Sequence, residues 1–243
     1  MSGVAGEPAN PPTEPAQRAV PYHCPFCAEE DLRPVEAGAV AGLADLVAAH
    51  GSERIRLTPY QKLLVLDVAD EQVESLVDGL RGIGLEARPS AWRRGTMACT
   101  GIEYCKLAIV ETKATGAHLV AELESRFADV PELFTADAPP LTINLNGCPN
   151  SCARAQVADI GLKGMQMPDP ADPDGHSVDG FQISLGGALG ENAGFGRKLR
   201  GLKTTSADLP DYVERVVRRW LEQRADDEAF ATWVARADED DLR

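Results

Sequence analysis

Four cysteines stand at a spacing suited to metal chemistry: Cys99-x5-Cys105-x42-Cys148-x3-Cys152. A cubane iron–sulfur cluster needs four thiolates disposed tetrahedrally, set in turns whose backbone N–H groups can point at the sulfurs. Both pairs suit that need. Cys148 and Cys152 flank Pro149-Asn150-Ser151, a turn expected to run out of a strand and open a helix. A helix N-terminus there would favour a group of net negative charge. Gly101, Gly147 and Thr100 suggest room for something bulky to approach the backbone. Zinc competes for four thiolates, but structural zinc sites pair ligands as C-x2-4-C, so the x3 pair fits and the x5 pair does not. Four unrelated buried cysteines are the bland alternative. The spacing favours the cluster.

The other two cysteines, in Cys24-Pro25-Phe26-Cys27, look superficially like a glutaredoxin-type redox pair. That motif needs a strand before it and a helix opening at its first cysteine. Residues 1–21 are instead rich in Pro, Ala and Glu, with little to bury, and read as disordered. A zinc knuckle built with His23 or His50 lacks a second cysteine pair. The expected reading is a stretch without a site of its own.

Around these residues the chain divides into three parts: 1–37, 38–90 and 91–243. From Ala39, Val40, Leu43 and Val47 recur at helical spacing up to Gly51. Strands are expected at Arg54–Leu57 and Lys62–Val68. Asp70 should cap a helix with Val73, Leu76, Val77 and Leu80 on one face, stopped by Gly82 and Gly84. A strand at Leu85–Arg88 would complete a small α+β module. Beyond Ala91, a helical stretch follows Cys105, then a second helix at His118–Phe127. Strands are expected at Leu141–Leu145, Asp159–Lys163 and Phe181–Leu185, with an exposed acidic loop over Met165–Asp179. Leu209, Val213, Val216, Val217, Trp220 and Leu221 share one face of a long helix, and Phe230 and Trp233 sit on a last short one. Trp92, Trp220 and Trp233 read as core, and His118 and His176 as structural or exposed.

The 243 residues are 44 % hydrophobic and 26 % charged, an ordinary globular balance. No run of about 18 apolar residues exists to span a membrane, and the N-terminus lacks the features of a secretory signal. A cytoplasmic location is the expectation. Net charge is −14, from 24 basic and 38 acidic residues. That excludes nucleic acid, which needs clustered Lys and Arg, and fits poorly with docking an acidic electron carrier on this chain's own surface.

Thr96-Met97-Ala98-Cys99 with its x5 partner Cys105, and Asn146-Gly147-Cys148-Pro149-Asn150-Ser151-Cys152-Ala153-Arg154, closely resemble the cluster-binding signature of the sulfite/nitrite reductase family. Arg56-Leu57-Thr58-Pro59-Tyr60-Gln61 resembles the strand start of that family's ferredoxin-like half-domains, and Leu185-Gly186-Gly187 its Gly-Gly strand end. The match runs from about Gly38 to about Ala237. The resemblance implies an α+β fold: a ferredoxin-like half-domain (38–90), then a mixed α/β domain (91–243) that binds a [4Fe–4S] cluster and sirohaem. Cys99, Cys105, Cys148 and Cys152 would ligate the cluster. Cys152, the expected catalytic residue, would also ligate the sirohaem iron, with Met97 packing nearby. Thr96–Lys113 most resembles the ferredoxin-dependent sulfite reductases of high-GC Gram-positive bacteria.

The implied activity is assimilatory reduction of sulfite to sulfide, with ferredoxin or a similar donor. The alternatives are nitrite reduction to ammonium, a cobalamin-pathway relative of precorrin-3B synthase, and a non-catalytic truncated cluster-binding protein. Complete family members carry two copies of the repeat and keep the Arg and Lys that hold the substrate mainly in the first. One copy is visible here, and the abrupt onset of similarity near Gly38 suggests a fused or truncated gene. The expectation is a missing N-terminal half or self-association. Arg56, Arg93, Arg94, Arg154, Arg197 and Lys198 could supply part of the cationic demand, solvated surface charge being the alternative for each.

Overall fold

The computed structural model of the chain describes residues 18–22, 37–130, 141–172, 175–190 and 193–243. The Cys24–Cys27 pair lies outside the described residues. The chain forms two compact units, the second beginning, among described residues, at Arg88.

In the first unit, β1 (Arg18–Tyr22), β2 (Ile55–Leu57) and β3 (Leu63–Val68) form an antiparallel sheet in the order β1-β3-β2. The helices α1 (Ala37–Ala49) and α2 (Val73–Gly82) supply Leu43, Val47, Leu76, Val77 and Leu80, which share one core with Val65 and Val68 of the central strand. β1 falls in the prefix expected to be disordered. Its Arg-Ala-Val-Pro-Tyr backbone pairs with β3, Val20 opposite Val65 and Tyr22 opposite Leu63. Pro21 is tolerated because β1 is an edge strand. The strand expected at Leu85–Arg88 does not form; Leu85 and Ala87 are buried, but on an irregular backbone. Asp70 opens a single 3-10 turn before α2 rather than capping the helix itself.

The second unit is built on a five-stranded sheet of order β4-β5-β6-β7-β8: β4 (Thr96–Ala98), β5 (Ile143–Asn146), β6 (Ile160–Pro168), β7 (Ser177–Leu185) and β8 (Lys203–Thr205). The first three strands are parallel and the last three antiparallel. Register sorts the side chains onto two faces, since successive residues of a strand point oppositely. Ile143, Ile160 and Leu185 align across the sheet, as do Leu145, Leu162 and Ile183. All six are fully buried, in one core with the helices α4 (Lys113–Arg126), α5 (Leu209–Gln223) and α6 (Phe230–Arg236). Trp220 meets Phe230 edge-on at 5.7 Å, and Trp92, on the short helix α3 (Ala91–Gly95), packs on Phe127 at 5.2 Å. On the opposite face Asn144 aligns with Gly161 and Ser184, and Asn146 with Lys163 and Gln182. That polar face carries the candidate site.

Three expectations change here. Met165–Asp179 is mostly hairpin: β6 runs to Pro168, β7 begins at Ser177, and only the tip between them is loop. Lys106–Val110 is not helical; one helix, α4, begins at Lys113. No α-helix opens at Cys148–Cys152; that segment turns tightly into a short 3-10 helix, Ala155–Val157.

Candidate iron–sulfur site

Two of the four cysteines, Cys99 and Cys148, stand at the carboxyl ends of two adjacent parallel strands. Cys99 directly follows β4, and Cys148 follows β5 by two residues, with Ala98 opposite Leu145 in the ladder. The Cys99 N–H donates to the Leu145 carbonyl at 2.9 Å, continuing that pairing by one step. Asn146 and Gly147 then tie all four segments together. Gly147 donates its N–H to Cys99 Sγ at 3.1 Å. Its carbonyl accepts from Ile109 N at 2.7 Å, closing the Cys105 loop, whose own turn is made by Cys105 N to Gly101 O. Asn146 Oδ1 accepts from Ala153 N at 2.6 Å, next to Cys152. Cys148 is buried, Cys99 and Cys105 are half-buried, and Cys152 is exposed.

The expected helix after Cys148 is replaced by left-handed backbone. Ser151 and Arg154 have φ of 60° and 55°, a conformation that costs a non-glycine residue free energy and persists only where its surroundings hold it. Asn144 Nδ2 donates to the Arg154 carbonyl at 3.3 Å, and the Ser151 hydroxyl donates to Gln156 Oε1. A helix dipole therefore plays no part here; individual N–H groups do.

Gly101 and Gly147 do not open space for a ligand. Gly101 has φ of +77°, and a Cβ on it would meet Thr112 Oγ1 at 2.8 Å; a Cβ on Gly147 would stand 3.1 Å from the Val110 carbonyl. Their missing side chains let the Cys105 loop fold onto its own protein. Thr112 is fully buried; its hydroxyl donates to the Cys99 carbonyl at 2.9 Å and lies 3.8 Å from Cys99 Sγ. Glu111 Oε1 accepts from the N–H groups of Thr112, Lys113 and Ala114 at 2.6–3.1 Å, closing the start of α4. Gln166 and Asp179, from the β6–β7 hairpin, hold Ile109 O and Glu111 N. At the far end of β5 the half-buried Asp159 carboxylate accepts from both the N–H and the hydroxyl of Thr142, at 2.9 and 2.6 Å, and partial burial pushes its pKa up.

The basic residues separate. Arg93 is held by Glu124 through two 2.8 Å contacts. Arg197 donates to the Ala237 carbonyl at 2.9 Å, at the end of α6. Arg154 lies beside Cys152, with Nη2 3.7 Å from Met97 Sδ; Met97 is buried in β4. Arg56 is exposed on β2 of the first unit, Arg94 lies in α3, and Lys198 lies beside Cys148. His118 and His176 are exposed, and both ring nitrogens of His50 are occupied, by Leu46 O and Ser75. Asn144, Thr112 and Lys163 lie outside the cysteine motifs read from the sequence, and Asn146 stands in the second cysteine motif without a role of its own there. The signal was present in Ile143-Asn144-Leu145-Asn146, where asparagines alternate with aliphatics on a central strand. Among the described residues no three His, Cys, Asp or Glu side chains converge to ligate one metal ion. The thiolates of a cubane each bind a different iron and need no common point.

Residues 91–243 match the nitrite and sulphite reductase 4Fe-4S domain, and residues 35–83 match the nitrite/sulfite reductase ferredoxin-like half domain. The chain belongs to the nitrite and sulphite reductase family. It is 55 % identical over 212 residues to the ferredoxin sulfite reductase of Mycobacterium tuberculosis, covering 85 % of this chain and 37 % of that protein. It is 33 % identical to an assimilatory ferredoxin-dependent nitrite reductase of Haloferax mediterranei, covering 79 % and 31 %. The solved structure of the M. tuberculosis NirA protein superposes with a TM-score of 0.80 at 45 % identity, covering 99 % of this chain and 44 % of that one. The chain thus spans well under half the length of these relatives.

Proposed function

We propose that Cys99, Cys105, Cys148 and Cys152 hold a [4Fe–4S] cluster, that Cys152 also ligates sirohaem, and that the chain is the cluster-bearing part of an assimilatory sulfite reductase. The observation that carries this reading is the Asn146–Gly147 hub, which tethers all four cysteine segments and aims an N–H at Cys99 Sγ. Such N–H···S bonds suit a thiolate ligand and help set a cluster's potential. Held by these cysteines, the cluster would supply one-electron transfer and the sirohaem a centre for the six-electron reduction of sulfite to sulfide. The protein's own part is positional. Asn146 fixes the Cys152 turn, Gly147 orients Cys99, and Thr112 braces the Cys99 backbone. The exposed Cys152 is the thiol open to a second metal partner.

Sulfite is favoured over nitrite by the higher identity to the sulfite reductase. Ferredoxin, or a carrier like it, is the proposed donor. Arg93 and Arg197 are committed within the protein, which supports a second polypeptide section, or a second copy of the chain, as the source of cations around the substrate. Among the described residues no helix is long and apolar enough to cross a membrane; a cytoplasmic site of action is part of the proposal.

The test is metal content. Anaerobically purified protein should hold about four irons and four sulfides per chain, and a visible spectrum with both a Soret band and a red chlorin-type band. Serine at any one of Cys99, Cys105, Cys148 or Cys152 should abolish the cluster. Stoichiometric zinc in the native protein would overturn the assignment. A cluster without the haem bands would leave a non-catalytic cluster-binding protein.

A further inference from the structure

Helix α4 starts against an ordinary preference. Carboxylates suit the N-terminal end of a helix and ammonium groups the C-terminal end, because unpaired N–H groups leave partial positive charge at the start. The first turn of α4, Lys113-Ala114-Thr115-Gly116, holds no acidic residue, and its one charged side chain is a lysine. A carboxylate does serve this end from outside the helix: Glu111 Oε1 accepts from the N–H groups of Thr112, Lys113 and Ala114. Lys113 thus sets a cation where the backbone disfavours one. Departures of this kind from local preference gather at functional sites.

The place the ammonium occupies supplies a reason. Lys113 is half-buried, and its Nζ donates to the Ala98 carbonyl at 3.0 Å. Ala98 ends β4, and its carbonyl belongs to the peptide bond that leads into Cys99. The same cysteine receives the Gly147 N–H on its sulfur at 3.1 Å, and its carbonyl accepts from the Thr112 hydroxyl at 2.9 Å. Lys106 makes the contrast. It follows Cys105 directly in the chain, yet it is exposed. Water and salt screen an exposed charge far more than a half-buried one.

A cubane with four thiolate ligands is anionic, and each electron it accepts adds to that charge. A cation held close by favours the reduced form more than the oxidised one. We propose that Lys113 sets the reduction potential of the cluster. Its ammonium, anchored on Ala98 at the approach to Cys99, raises that potential and eases the uptake of one electron from a ferredoxin-like donor. Lys113 acts through its charge and not as a ligand. This inference rests on the cluster assignment proposed above.

The test compares the anaerobically purified full chain with Lys113→Gln, Lys113→Arg and Lys106→Gln. Iron and sulfide per chain are measured first. The midpoint potential of the cluster then follows from a dithionite titration monitored by electron paramagnetic resonance. Lys113→Gln keeps a donor for Ala98 but removes the charge. It should move the redox equilibrium about tenfold toward the oxidised form, a fall of about 59 mV for a one-electron couple. Lys113→Arg keeps the charge, and both it and Lys106→Gln should stay within about twofold of the parent. A purely structural role for Lys113 would lower iron content and leave the potential of the remaining clusters unmoved. A loaded Lys113→Gln chain within about twofold of the parent would overturn the inference while leaving the cluster assignment intact. So would an equal shift in Lys113→Arg or Lys106→Gln. A parent without iron and sulfide would overturn the proposed function, and this inference with it.

Discussion

The two faces of the five-stranded sheet use the same strands for opposite ends. On one face, aliphatic residues aligned in register are sealed under three helices and three tryptophan–phenylalanine contacts. On the other, the aligned positions are Asn144, Gly161, Ser184, Asn146, Lys163 and Gln182, and what covers them is the turn following Cys148. Burial of apolar area is non-directional and supplies most of the stability. Hydrogen bonds contribute little net free energy but fix direction, and leaving one unmade is costly. The difference shows how one sheet separates holding together from aiming.

That division can be broken from either side. Trp233 is fully exposed to the core and not to solvent, so Trp233→Ala should cost about 3–5 kcal/mol. Denaturant unfolding should show the full loss, while iron bound per folded chain stays at the parent value. A matching drop in iron per folded chain would show that the faces are not separable. Asn146→Ala acts on the other side. It removes the acceptor for Ala153 N, a loss of about 1–3 kcal/mol, and here the larger effect should be on iron retention, measured after gel filtration. Stability lost without iron lost would remove the hub from the account.

The smallest effect belongs to Asp159, beyond the N-terminal ends of both strands' site-bearing segments. Burial raises its pKa in the folded protein. The protonated carboxyl therefore stabilises the fold below the ordinary carboxylate value, and this contribution is lost as pH rises through the raised folded value. Asp159→Asn keeps an acceptor for Thr142 and should flatten that part of the pH–stability curve. Unfolding midpoints measured between pH 4 and 7 provide the check; an unchanged slope would assign the titration elsewhere.

Sequence patterning revealed one face far better than the other. Helices α1, α2 and α5 followed from apolar periodicity because their buried stripes face a core, and the cysteine spacing pointed to the cluster because four thiolates at such intervals suit few other groups. What stayed hidden was set by tertiary contacts. β1 sits at the end of a Pro- and Glu-rich prefix and is ordered by pairing with β3. The β6–β7 hairpin outruns the core, so Met165-Gln166-Met167 and Ser177-Val178-Asp179 carry no buried stripe and read as loop. Lys106–Val110 is apolar enough for a helix, yet Gly147 and Gln166 hold it as an irregular segment. The turn at Cys152 could not be read because Ser151 and Arg154 adopt a left-handed backbone that their residue types disfavour and Asn144 and Asn146 enforce.

The placement of Cys99 and Cys148 at the ends of neighbouring parallel strands also dictates an order of events. The strands that carry them are joined by a long crossover through α4, and parallel pairing of this kind must wait for distant chain segments to meet. Until β5 docks beside β4, Cys99 and Cys105 have no opposing pair, and Gly147 has no sulfur to point at. A binding site that exists only in the folded state makes folding precede loading. Under the proposed ligation, iron delivered during synthesis would find half a site, and a completed sheet a whole one.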